Sequence, residues 1–141
     1  MTFTDITDIA VSGIAAQRLR MATTASNLAN ANSTRSEEGG PYRRRDPVFE
    51  AEPLKSGFED RLGSHVRSVR VGRVQTDSRP PLVRYEPGHP DADADGYVEL
   101  PNVNPIEELT NMMLAMRSYE ANLLIMRKVR EMANAAMQLG R

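Results

Sequence analysis

The residues of this chain with the greatest capacity for chemistry lie in one short segment, residues 85–105. Within it, Asp91, Asp93 and Asp95 alternate with alanines, and Gly96 follows them. This spacing matches the first half of an EF-hand calcium loop, in which oxygen ligands stand at alternate positions before a glycine. The segment therefore raises the hypothesis of a small binding module that responds to calcium or another metal.

The second half of the calcium motif is missing. The twelfth position of the loop holds Asn102, where calcium requires a bidentate glutamate, and Pro87 and Pro90 prevent a normal entering helix. His89 lies between those two prolines. We therefore expect an exposed turn stabilised by the side chains of the Asp91–Asp95 loop, with no metal ligands and no cofactor.

The sequence offers no set of residues suited to catalysis. It contains no G-x-S-x-G, P-loop, G-x-G-x-x-G or H-E-x-x-H motif. It has no cysteine, which excludes thiolate nucleophiles, thiolate metal sites and disulfides. A small hydrolase would need a nucleophile and a base that we do not identify. We predict that the protein is not an enzyme and has no small-molecule substrate.

The composition favours helix packing over a large enclosed core. The 141 residues include three Phe, four Tyr and no Trp, but eight Met, whose flexible side chains adapt to helix surfaces. A net charge of −1 gives no electrostatic reason to expect a nucleic-acid partner. No apolar run approaches the roughly 18–20 residues that span a bilayer. We also expect no Sec signal peptide, since the N-terminus lacks a basic region and a continuous apolar region.

The clearest structural signal is a long C-terminal helix. Asn104 is its predicted N-cap, and Pro105 stands at the first helical position. Glu107 and Glu108 lie at the positive end of the helix dipole, and Gly140 marks the predicted end. An apolar stripe with spacings of three and four follows: Leu109, Met112, Met116, Tyr119, Leu123, Met126, Ala133 and Met137. Such a stripe requires a partner helix, in the same chain or in a neighbouring subunit.

The N-terminal segment, residues 4–34, predicts a second and weaker helix that is rich in alanine. Its stripe is formed by Ala10, Ile14, Met21, Ala25 and Leu28. The small side chains permit another helix to approach closely. Asn27, Asn30 and Asn32 are predicted to end this helix. The alternative interpretation is that their amides form hydrogen bonds across a subunit interface and fix its register.

Between the two helices lies a polar segment interrupted by proline and glycine. Short strands are predicted at residues 48–51, 66–74 and 82–85, with a basic outer face at Arg70 and a bulge at Gly72. The whole pattern predicts a mainly α chain with a small β-containing middle region. It divides into an N-terminal helix (1–35), an irregular and β-rich middle segment (36–103) and a C-terminal helix (104–141).

Helix packing between subunits is the binding function that these patterns favour, and no metal or catalytic residues are predicted beside it. The predicted interface residues are Ile14, Met21, Ala25, Asn27, Leu28, Asn30, Asn32, Leu109, Met112, Met116, Tyr119, Leu123, Met126 and Met137.

Three passages of the sequence resemble the bacterial flagellar rod proteins, which belong to the family of rod and hook axial proteins. These passages are SGIAAQRLRMATTASNLANANSTR (12–35), YEPGHPDADADGYVELPNVNPIEE (85–108) and RSYEANLLIMRKVREMANAAMQLG (117–140). The first and last resemble signatures of the whole axial class, and the second resembles a passage particular to one of its proteins. Together they cover about half of the chain.

The resemblance implies a structural subunit of the proximal rod, part of the drive shaft of the flagellar basal body that transmits torque and supports motility. The terminal helices would pair as an inner coiled-coil layer of a helical tube, and the middle segment would form an outer domain. The implied partners are copies of the chain, other flagellar rod proteins, the basal-body base and its export apparatus. The implied location is the rod in the periplasmic space, reached by type III export without a cleaved signal peptide.

Overall fold

The structure is a computed structural model that describes residues 3–37, 39–54 and 66–139. Its elements in chain order are α1 (Phe3–Ala29), β1 (Arg45–Pro53), β2 (Arg67–Thr76), β3 (Leu82–Tyr85), β4 (Tyr97–Leu100) and α2 (Pro105–Leu139). The strands form two separate two-stranded antiparallel sheets, β1 with β2 and β3 with β4. The prediction of two long terminal helices around a small β-containing region is confirmed.

Helix α2 begins where the sequence predicts. The Oδ1 atom of Asn104 accepts a hydrogen bond of 3.0 Å from the backbone N–H of Ile106, and Pro105 is the first helical residue. At 1.5 Å per residue, α2 is about 50 Å long. The predicted stop at Gly140 lies outside the described residues.

Helix α1 ends in the asparagine-rich segment, as predicted. It ends at Ala29, and both the backbone N–H and the side-chain amide of Asn30 donate to the carbonyl oxygen of Ser26, at 3.1 and 2.9 Å. Asn32 lies in the turn that follows. Asn27 differs from these two because it is inside the helix and buried.

The β1–β2 hairpin contains the predicted bulge. Its register shifts between Val48 and Phe49, whose partners on β2 are Arg73 and Val71, so Gly72 is the extra residue. A Cβ at this glycine would lie 2.2 Å from the carboxylate of Glu50 on β1, so this exposed side chain would have to move for a larger residue to fit.

Strand β4 was not predicted. Its four residues alternate, with Val98 and Leu100 buried and Tyr97 and Glu99 exposed. Four residues give a weak periodic signal, and this one lies between an Asp-Gly turn and Pro101. The strand forms because β3 pairs with it along its full length.

The core is thin and runs along the helix pair and under β4. Helix α1 packs on α2 and also contacts the β1–β2 hairpin, where the Ser12 hydroxyl accepts a 3.1 Å hydrogen bond from the N–H of Val69. The buried apolar residues in the described part of the chain are Ala10, Ala16, Ala31, Val98, Leu100, Val103, Ala115 and Val129. None of the described helices is long and apolar enough to cross a membrane.

Candidate assembly surface and the network that supports it

The two long helices lie antiparallel, and part of their contact is formed by small and polar residues. Gly13, Arg20 and Asn27 stand seven residues apart on α1, and each contacts α2. Their partners follow in reverse order along α2: Asn122, Asn111 and Glu108. At Gly13 a Cβ would lie 2.7 Å from Nδ2 of the facing asparagine, so glycine is what allows this close approach.

On α2, one row of inward residues recurs at alternating spacings of four and three, and Asn111 and Leu123 beside this row are also half-buried. The buried or half-buried residues of the row are Glu108, Met112, Ala115, Tyr119, Asn122, Met126, Val129 and Ala133. The alternation is the heptad pattern of paired helices. Met112, Tyr119, Met126 and Ala133 belong both to this row and to the predicted apolar stripe. Leu109 and Met116 of the stripe each lie one position after a residue of the row, so this part of the stripe turns away from α1.

The predicted interface residues fall into three classes of exposure in the single chain. Asn27 is buried, and its amide makes contacts within the chain. The half-buried residues are Ile14, Met21, Leu28, Asn30, Met112, Tyr119, Leu123 and Met126. The exposed residues are Ala25, Asn32, Leu109, Met116 and Met137.

Large apolar side chains lie on the outer surface of α2. Ile106, Leu109, Met113 and Met116, with spacings of three, four and three, follow one line along the helix and are 74, 49, 65 and 48% exposed. We call these four residues the apolar strip. Leu114, Ile125 and Met132 are exposed on another side of the same helix. The helix pair therefore turns many of its apolar side chains outward while Met112, Tyr119, Met126 and Val129 lie on its inner side, and an isolated pair would not leave so much apolar surface exposed.

A buried polar network holds the start of α2 against the end of α1 and the start of β1. Glu108, which is 1% exposed, accepts hydrogen bonds from Nε of Arg44 (2.7 Å) and Nδ2 of Asn27 (3.0 Å). The Asn27 amide also bonds both backbone groups of Arg45, at 2.8 and 2.9 Å, and accepts a 2.9 Å bond from the Tyr42 hydroxyl. We call these five residues the junction network.

The charge of Arg44 is fixed by its surroundings. Burial alone would lower the pKa of Arg44, but hydrogen bonds and charge attraction from Glu108 and Asp46 outweigh it, and the pKa lies above its ordinary value. A permanent cation at this partly buried position requires an acid beside it. The sequence assigned Glu108 only to the helix start, and no local pattern pointed to its pairing across the chain with Arg44.

The aspartate loop has a structural role within the chain. Asp91 accepts a 2.7 Å hydrogen bond from the Thr34 hydroxyl and forms an ion pair with Arg35. The Thr34 bond and then the Arg35 charge lower the pKa of Asp91. Oδ1 of Asp93 accepts backbone N–H bonds from Asp95 (3.0 Å) and from Tyr97 (2.8 Å).

The expected turn stabilised by aspartate side chains is therefore confirmed. In the described ranges, no three His, Asp or Glu side chains come together in a way that would hold a metal ion. The calcium-responsive alternative gains no support from this geometry.

Comparisons with known proteins agree on one family. Residues 8–35 match the profile described as "Flagella basal body rod protein", and residues 94–139 match "Flagellar basal body rod FlgEFG protein C-terminal". The chain is 40% identical over 140 residues to the flagellar basal-body rod protein FlgC of Salmonella typhimurium, covering 99% of each chain. It is 37% identical to FlgC of Borreliella burgdorferi, over 94% of this chain and 93% of the relative. It is 45% identical to FlgC of Aquifex aeolicus, over 82% of this chain and 81% of the relative.

Proposed function

We propose that this chain, which belongs to the FlgC family of flagellar basal-body rod proteins and is a structural subunit of the rod, assembles through the outward faces of its two terminal helices. In this proposal the helix pair forms an inner coiled-coil layer of a helical tube. Residues 1–35 and 104–141 supply that layer, and residues 36–103 form an outer domain. The partners are copies of the chain and the other rod proteins.

The observation that carries the proposal is the outward apolar strip. Burying a large apolar side chain completely contributes about 1.5–3 kcal/mol, so covering these half- to three-quarters-exposed residues contributes on the order of 1 kcal/mol each. A neighbouring helix that covers Ile106, Leu109, Met113 and Met116 therefore gains several kcal/mol from this line alone. In this proposal the strip of one copy packs against a different surface of the next copy, and such heterologous contacts build open helical assemblies when the rotation does not close.

The spacing of inward residues supports the coiled-coil part of the proposal. Positions on both helices recur every seven residues where α1 and α2 meet, which is the period of supercoiled helices. The two helices approach each other closely at Gly13, and the outer side of the pair is rich in apolar side chains. Such pairs can pack closely side by side. Such packing suits a wall of subunits around an axis.

The proximal rod is part of a drive shaft, and torque has to pass from the helical layer to the rest of each subunit. The junction network supports this role because it ties both helices to the middle segment through hydrogen bonds of 2.7 to 3.0 Å. We further propose that the chain reaches the rod in the periplasmic space by type III export, and that it meets the basal-body base and the export apparatus there.

The test is to place a charge in the apolar strip. Leu109→Asp and Met113→Asp, expressed in cells whose own copy of the gene is deleted, are expected to abolish motility and to leave basal bodies without a complete rod. The purified variants should keep the circular dichroism of the unmodified chain, since both side chains are exposed. Ser118→Asp, a charge on an exposed polar position of the same helix, is the matched control and should leave motility intact. Normal motility and normal rods in Leu109→Asp would refute the proposal.

A further inference from the structure

The β3–β4 hairpin has one face on which Val98 and Leu100 are buried and an opposite face that is uncovered. Val83 pairs with Glu99, and Tyr85 pairs with Tyr97, so these four side chains lie on the same side of the sheet. Val83 is 62% and Tyr85 61% exposed, and the two tyrosine rings meet edge to face with centroids 5.3 Å apart. Val98 points to the other side and is buried. An aromatic and apolar sheet face therefore has no cover within the described part of the chain.

One end of this face forms the wall of an acidic hollow of about 340 Å³. Its lining comprises Thr34, Gly40, Pro41, Val83, Asp91, Asp93, Tyr97 and Glu99. Asp91 is engaged by Thr34 and Arg35, and Asp93 accepts two backbone N–H groups. Glu99 is exposed and makes no ion pair in the described ranges. Carboxylates beside a tyrosine ring suit a guanidinium group, which combines charge-assisted hydrogen bonds with contact to the ring face.

A basic surface lies next to this hollow, on the other side of Pro41. There, a hollow of about 640 Å³ is lined by Arg35, Arg43 and Arg45, with Glu37 as the one acid among its described lining residues, and Pro41 borders both hollows. Arg43 is exposed and has no hydrogen bond or ion pair among the described residues. Within the described ranges, each copy of the chain thus presents an acidic aromatic hollow beside an arginine without an ion pair, and the two do not pair with each other.

We propose that the acidic hollow of one copy is the docking site for Arg43 of a second copy. The inference rests on the proposed assembly of the chain with copies of itself, and it adds a contact between middle segments to the contact between helices. The guanidinium pairs with Glu99 and lies against the Tyr97 ring. Because the donor and the acceptor are different surfaces of one chain, the contact repeats from copy to copy in the same direction.

A charge exchange tests the pairing. Arg43→Glu and Glu99→Arg, each alone, are expected to lower the fraction of motile cells at least tenfold in a strain without its own copy of the gene. The double variant, which restores opposite charges in exchanged places, is expected to recover most of that loss. Arg73→Glu combined with Glu99→Arg is the matched control, because Arg73 is also exposed but lies on β2. This combination should not recover motility. Full motility of both single variants overturns the inference, and so does failure of the exchange to recover it.

Cross-linking tests the contact without charge changes, because the chain has no native cysteine. Purified basal bodies that carry both Arg43→Cys and Glu99→Cys are treated with a short bismaleimide. A product of two copies is expected, and the combination of Arg73→Cys with Glu99→Cys is expected to give at least tenfold less of it. A product with a different protein, or equal yields from the two combinations, overturns the inference.

The outcomes separate this inference from the proposed function. If Leu109→Asp abolishes rods while Glu99→Arg leaves them normal and no cross-link forms, only the docking site falls. If Leu109→Asp leaves rods normal, the helix-mediated assembly itself is refuted.

Discussion

Removing the charge of Glu108 is expected to destabilise the chain more than any other single neutralisation of an acid on α2. The Glu108 side chain is 1% exposed, and its two carboxylate oxygens accept hydrogen bonds from two different partners, Arg44 and Asn27. Glu108→Gln keeps the shape and one acceptor oxygen. Its amide nitrogen, however, must face either the Arg44 guanidinium or the Asn27 amide, and a donor there opposes a donor.

The size of the effect follows from burial. Breaking a buried ion pair by removing one partner costs about 3–5 kcal/mol. The Arg44 side chain is 18% exposed and keeps a second acid, Asp46, at 3.2 Å, which reduces the penalty. We therefore expect Glu108→Gln to lower the free energy of unfolding by about 2–3 kcal/mol. This is a large part of the roughly 5–15 kcal/mol that holds a typical domain together.

Urea unfolding followed by circular dichroism measures this difference. Glu107→Gln is the matched control, because Glu107 is exposed in the same helical turn, and it should cost only the roughly 0.3–1 kcal/mol of an acid near a helix start. Replacing both members of the pair, with Arg44→Met and Glu108→Met together, should cost less than the sum of the single replacements. If Glu108→Gln and Glu107→Gln unfold at the same urea concentration, the junction network does not stabilise the fold as argued.

Three further predictions concern the helix contact, the aspartate loop and the isolated chain. Gly13→Ala should stabilise the chain by about 1 kcal/mol through helix propensity when Asn122 has been replaced by alanine, but by less or not at all when the native asparagine is present. Thermal unfolding measures both effects, and equal effects in the two backgrounds would contradict the close contact. The pKa of Asp91 is lowered in the fold, so its contact stabilises the loop above the ordinary aspartate pKa of about 3.9 and is lost as the pH falls through the lowered value. A carboxyl ¹³C titration that places this pKa at or above the ordinary value would show that the contact is not formed. In the isolated monomer, we expect the junction network to hold the end of α1 against the start of α2 and hydrogen-exchange protection to be weak along the rest of both helices, so strong protection along their full length at monomeric concentrations would refute coupled ordering and assembly.

The elements of the fold with strong local signals were predictable from sequence. Asn104 followed by Pro105 locates the start of α2 to the residue because cap chemistry acts over one turn. The bulge at Gly72 was predictable because a glycine interrupts alternating valines. Strand β4 was missed because four residues carry little periodicity, and pairing with β3 is what makes them a strand.

The candidate assembly surface was only partly predictable. A helix with apolar residues at every third or fourth position shows that its faces are covered, but not by which partner. The structure turns Leu109 and Met116 outward and places Ala115 and Asn122 near the partner helix, a rotation of one residue that hydrophobicity alone cannot fix. The pairing of Arg44 with Glu108 spans 64 positions and depends on how the residue just before β1 lies against the start of α2, so no local pattern contains it.

The contrast between the two sides of the helix pair links folding to assembly. Between α1 and α2, the contacts of Gly13 with Asn122 and of Arg20 with Asn111 bury little apolar surface, and the latter hydrogen bond is long at 3.5 Å. Apolar burial is the main favourable term in folding, and within the pair it comes from the half-buried Met112, Tyr119 and Met126 and the buried Val129, whereas the four residues of the apolar strip stay exposed. The junction network fixes one end of the pair, while the outward apolar side chains become buried only when neighbours cover them. We therefore expect the free energy that orders these helices to come mainly from contacts between subunits, so that a chain outside the rod is easily unfolded for export and becomes rigid on joining it.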